Sequence, residues 1–182
     1  MRFHQTWVVV LVFGLAIQPV RATDWAIDVV PCVSAKEGKE IRINYPFYVV
    51  LSNVTDHDLT VWQEWCSWGY YNLFFEFTGK DGNVVKVSKM GQNWSKNFPD
   101  PFIVGPGRHF VLEVTLSPQD WVGTENLNGS VTVKAIYKNT NGAFLGEKPN
   151  PQNKIPDDMQ KMIDSAWVGQ VESEPMQVTL AR

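Results

Sequence analysis

The chain has 182 residues, 44% of them hydrophobic, and 16 basic against 19 acidic side chains give a formal net charge of −3. That is enough apolar material for one domain's core, and the acidic balance without any Lys/Arg run excludes a nucleic-acid surface, which needs cations aimed at phosphates. Neither of the two cysteines, Cys32 and Cys66, has a second Cys or a His at ligand spacing, so no metal and no cofactor is expected.

Residues 1–22 have the layout of a secretory signal peptide. Arg2 and His4 open it, the run from Trp7 to Ile17 is apolar, and Val20-Arg21-Ala22 supplies a small-residue cleavage site. The apolar run is about 11 residues, well short of the roughly 20 that cross a bilayer. A secreted or periplasmic protein with no stable membrane anchor is therefore expected, with residues 23–182 as one domain. Loss of Arg2 and Arg21 takes its formal charge to −5.

After that leader, alternating apolar positions rich in β-branched and aromatic residues predict strands over 26–30, 41–51, 59–62, 73–77, 84–87, 110–116, 131–137 and 176–180. In the second of these, Phe47, Val49 and Leu51 take one face and Tyr48 and Val50 the other, the pattern of a central strand buried on both sides. Turn residues separate the strands: Asp56-His57-Asp58, Gly105-Pro106-Gly107, and Asp81-Gly82, a strong hairpin signal. Both His57, inside such a turn, and His109, at a strand start, read as surface or structural residues. Sequons stand at Asn53, Asn93 and Asn128 in or beside turns.

Between residues 62 and 71 the chain reads Trp-Gln-Glu-Trp-Cys-Ser-Trp-Gly-Tyr-Tyr. Trp62 ends a strand and is assigned to the core. Trp65, Trp68 and Tyr70 are the candidate ligand-binding residues, because exposed rings beside polar groups offer rigid area to a sugar or a protein. The same rings could instead fill a corner of the domain. In an oxidising compartment Cys66 is expected to pair with Cys32, closing a loop of roughly 35 residues worth about 3–4 kcal/mol.

From Asn139 to Pro156, Asn, Gly and Pro are too frequent for a strand or helix. Asp157-Asp158 then marks a helix start, with Met159, Met162, Ile163 and Ala166 at helical spacing. The insertion 139–166 is read as a loop plus one short helix, either a flap over one end of the domain or a binding element. Its composition predicts first proteolytic cleavage near Lys148 or Lys154. Short strands, turns at regular spacing and no long helical pattern give an all-β class, an antiparallel immunoglobulin-like or fibronectin-like β-sandwich.

Val49-Val50-Leu51-Ser52-Asn53-Val54-Thr55-Asp56, the strand 73–77 and Asp81-Gly82 resemble a run of the bacterial intracellular proteinase inhibitor family. Trp94-Ser95 before Phe98, and Pro106-Gly107 before the strand at Phe110, extend the similarity. The stretch is also similar to the middle of uncharacterised secreted bacterial immunoglobulin-like proteins. The resemblance covers 49–116, about half of the chain after the leader, and implies a sandwich that inhibits proteinases. The leader, the cysteine pair and the insertion depart from it, and no inhibitory loop matches residue by residue.

No zinc-protease, phosphate-loop, nucleophile-elbow or dinucleotide motif occurs, so no catalytic residue is assigned. The expected function is an exported non-catalytic binding or accessory domain with a protein partner, a proteinase inhibitor being its specific form. The alternatives are a carbohydrate-binding module using Trp65, Trp68 and Tyr70, and a hydrolase whose acids come from anywhere in the chain.

Overall fold

Alternation of buried apolar with more exposed residues along the strands produces the layers seen in a computed structural model that describes residues 24–34, 38–94, 98–125, 127–140 and 156–182, the side chains of 32–34 excepted. The signal-peptide expectation and the cleavage sites at Lys148 and Lys154 lie outside these residues. Among them the strands in chain order are β1 (Trp25–Val30), β2 (Cys32–Ser34), β3 (Gly38–Arg42), β4 (Pro46–Asn53), β5 (Leu59–Trp62), β6 (Leu73–Thr78), β7 (Val84–Lys89), β8 (Pro101–Val104), β9 (His109–Thr115), β10 (Trp121–Val122), β11 (Gly129–Asn139), β12 (Gly169–Glu172) and β13 (Met176–Ala181). Helix α1 (Ser67–Tyr70) follows β5 and helix α2 (Asp157–Ser165) precedes β12.

The all-β sandwich expected from the sequence is observed. One sheet has the order β1-β4-β9; the larger one runs β10-β7-β6-β11-β13-β3-β2, with β12 also on β11; β5 and β8 form a separate ribbon. β1-β4-β9 against β7-β6-β11-β13 is the strand arrangement of an immunoglobulin-like sandwich. The pairing is antiparallel except between β13 and β3, which run parallel. Every second residue of β9 and of β11 enters the core: Phe110, Leu112 and Val114 on one, Val131, Val133, Ala135 and Tyr137 on the other. Phe47 of β4 meets Phe75 of β6 across the layers at 5.6 Å between ring centroids, and Phe75 meets Trp121 at the same distance. Each such ring buries enough area to contribute about 2–3 kcal/mol.

The single strand expected over 41–51 is two strands in different sheets. Asn44 adopts a left-handed φ of 67°, a conformation Asn tolerates better than most residues. Ile43 donates its N–H to Ala181 of the larger sheet while Asn44 donates to Leu116 on the other side, so the turn at 43–45 carries the chain from one layer to the next. β4 is central in its sheet, as expected, but only one of its faces is buried: Tyr48 is exposed and Val50 half-buried.

The expected Cys32–Cys66 disulfide is not formed. Cys66 is a free, buried thiol that donates to the Gln63 carbonyl at 3.2 Å and packs with Trp62, Ile163 and Ala166. Cys32 begins β2, the outermost strand of the larger sheet, opposite Glu40 of β3. Cys66 instead lies in the turn between β5 and α1, with its thiol hydrogen-bonded inside that turn.

Helix α2 lies where the periodicity puts it. Ile163 is buried and Met159 and Met162 pack partly on the cluster around Trp62, the flap arrangement. Its base is closed: the Asn139 side chain donates to the Trp167 carbonyl, the Trp167 N–H to Thr60 at 2.8 Å, and the Trp167 indole to Asp24 at 2.9 Å.

Candidate functional site

The aromatic segment is shaped by a tight turn at the end of β5. Cys66 N–H donates to Gln63, and both Gly69 and Tyr70 donate back to Cys66. A Cβ placed on Gly69 would lie 2.1 Å from the Gln63 carbonyl oxygen, so only glycine lets α1 fold this closely onto the strand it has left.

This turn sends the three candidate rings in three directions. Trp65, at its apex, is 67% exposed, and its indole N–H is held by the Asp100 carboxylate. Trp68 turns inward, half-buried, with its ring 6.3 Å from that of Trp62. Tyr70 stands edge-on to Tyr71 at 4.8 Å and to Trp94 at 5.4 Å, and burial raises its phenol pKa above the ordinary value. Lys89 lies 4.6 Å over the Tyr70 ring while its ammonium is 2.7 Å from Glu64. Trp65, Trp68 and Tyr70 therefore do not form one platform.

What accompanies Trp65 was not singled out in the sequence. Asp100 leads into β8, and on the same stretch Phe98 is 69% and Ile103 63% exposed, with Phe102 partly so. β8 pairs only with β5, so its outer side has no covering strand among the described residues. Phe98 follows a region without strand periodicity, and β8 is short and opens with Pro101. That is why neither gave a signal.

The turn after β4 has a structural explanation. Buried Asn53 donates from Nδ2 to the carbonyls of His57 and Val104, both at 2.8 Å, and its Oδ1 accepts from the N–H and hydroxyl of Thr55. The Asn53 sequon is thus a folding device with its amide inside the protein. His57 is exposed beside Asp56 at 3.1 Å, which holds the Asp56 carboxyl below its usual range by hydrogen bonding, and His109 is exposed and bonds Ser52 at 2.8 Å. Both are surface residues, as read from the sequence.

Among the described residues no three His, Cys, Asp or Glu side chains converge as metal ligands, and no helix is long and apolar enough to cross a membrane. No family model matches the chain, and no curated protein or solved structure matches it significantly.

Proposed function

We propose that this protein is an exported, non-catalytic binding domain that engages a protein partner through the corner carrying Trp65, Phe98, Phe102 and Ile103. The observation that supports it is the exposed indole of Trp65, fixed by Asp100 at the start of a strand, β8, along which Phe102 and Ile103 are also exposed. Exposed apolar patches on a folded domain mark interaction surfaces, and a rigid Trp is a frequent anchor of such interfaces. The resemblance over 49–116 implies a proteinase as the partner, and this stretch contains the whole corner.

The test is inhibition of a panel of serine and cysteine proteinases by the protein at micromolar concentration. Inhibition that Trp65→Ala weakens at least about tenfold, the loss of roughly 1.4 kcal/mol or more expected of an anchor residue, supports the reading. Unchanged proteinase activity across the panel removes the inhibitor form. Retention on insoluble polysaccharide that is lost in Trp65→Ala would favour the carbohydrate alternative, although only one of its three rings offers an open face.

A further inference from the structure

On the outer face of the larger sheet, β6, β7 and β11 bring together side chains that are far apart in sequence. Phe74, Lys86, Ser88, Lys138, Tyr71 and Lys89 line a concavity of about 200 Å³. The register centres the concavity on Phe74, which pairs with Ser88 of β7 on one side and Ile136 of β11 on the other; Lys86 lies one pleat toward Glu76 and Lys138 one pleat toward Asn72, so the two lysines flank the Phe74 row from opposite ends. The chain is acidic overall and has no basic run, so this local excess of cations arises only in the folded sheet.

The acids of this face are already engaged. Glu76, opposite Lys86 in the register, pairs with Lys134 at 3.1 Å, and Glu172 pairs with the same lysine at 2.8 Å. Glu64 holds the Lys89 ammonium. Lys86 and Lys138 thus have no carboxylate partner among the described residues, and no acid lines the concavity. Lys86 is positioned 4.2 Å over the Phe74 ring, where the π face steadies the ammonium without neutralising it. Ser88, paired with Phe74 in the register, adds a hydroxyl to the lining.

We infer that this concavity binds a tetrahedral oxyanion, a phosphate or sulfate group, through Lys86, Lys138 and Ser88. Ammonium groups act as point charges toward such oxygens, and a hydroxyl completes the shell. The volume is below the roughly 300 Å³ at which pockets for drug-sized molecules begin. It therefore takes the anionic group itself rather than an entire large ligand. This site is separate from the Trp65 corner and does not depend on the reading given to it.

The experiment is a titration of isotope-labelled protein with sodium phosphate and sodium sulfate, with chloride at matched ionic strength as control, followed by backbone and lysine side-chain NMR. Saturable shifts confined to Phe74, Lys86, Ser88 and Lys138 are expected. Lys86→Ala and Lys138→Ala should each weaken binding several-fold, with Lys161→Ala, a lysine on α2 outside the concavity, leaving it unchanged. Shifts that never saturate, equal shifts with chloride, or an equal loss in Lys161→Ala would overturn the inference. A soluble sugar phosphate and vesicles containing an anionic phospholipid, tested in parallel, tell whether the group is presented by a small ester or by a lipid headgroup.

Discussion

Two tryptophans three residues apart divide the labour of the aromatic segment. Trp62 is fully buried, whereas Trp65 is mostly exposed and touches the fold through one hydrogen bond to Asp100. Trp62→Ala should therefore cost about 3–5 kcal/mol through lost burial and a cavity, and Trp65→Ala no more than about 1 kcal/mol, both read by urea denaturation. Tyr137 makes a complementary case. It is fully buried, with its hydroxyl 3.4 Å from the Asn72 amide, and burial pushes its phenol pKa well above the ordinary value. Above about pH 10 the unfolded chain releases this proton and the native protein retains it. Stability should then fall as pH rises beyond that value, and Tyr137→Phe should flatten the decline in a series of melts between pH 9 and 11.

At the scale of elements, close approach and cross-strand pairing set what can change. Gly69→Ala forces a methyl into the Gln63 carbonyl, and since backbone rather than a flexible side chain must yield, we expect a loss of about 2 kcal/mol or more in a chemical melt. On the sheet face, Lys134 bridges Glu76 and Glu172, and this lowers the Glu172 carboxyl below its ordinary value, the hydrogen bond from Lys134 being the largest cause and that from Gln170 the next. A depressed carboxyl contributes stability above its unfolded pKa and loses it as pH falls through the folded one. Glu172→Gln should thus cost a few tenths of a kcal/mol at pH 7, the usual scale for an exposed pair, and the difference from wild type should shrink as pH falls below about 4.3, the unfolded value, and vanish once the carboxyl is protonated in the folded protein as well.

Strands were legible wherever alternation was clean, as in β9 and β11, because a half-buried pleat writes its burial directly into the sequence. The helix α2 was legible for the same reason at a period of 3.6. The break at Asn44 was not, since Ile41 to Leu51 is apolar enough to pass for one strand and the switch of layer depends on partners, Leu116 and Ala181, distant in the chain. Of the candidate site, Trp65 could be found from composition alone. Asp100 becomes its partner only through the β5–β8 ribbon, and the lysines of the anion concavity come together only through the registers of β6, β7 and β11.

For the molecule as a whole, cohesion rests on packing and hydrogen bonds rather than on a covalent clasp. Phe47, Phe75 and Trp121 join the layers, and Trp167 ties the base of the insertion to Asn139, Thr60 and Asp24. Cys66 lies inside the Trp62 cluster as a small apolar residue, a common role for a free thiol. Two results follow from that placement. A thiol reagent should leave Cys66 unmodified in the native protein and label it once the chain is unfolded without reductant. Reductant should also leave the urea midpoint unmoved, whereas a disulfide closing this loop would contribute about 3–4 kcal/mol, enough to shift the midpoint by more than 1 M at the m-value usual for a small domain. A Cys66 that stays unlabelled after unfolding, together with a midpoint that drops on reduction, would show that the protein closes the Cys32–Cys66 bond and rearranges the turn at 63–70 to reach it.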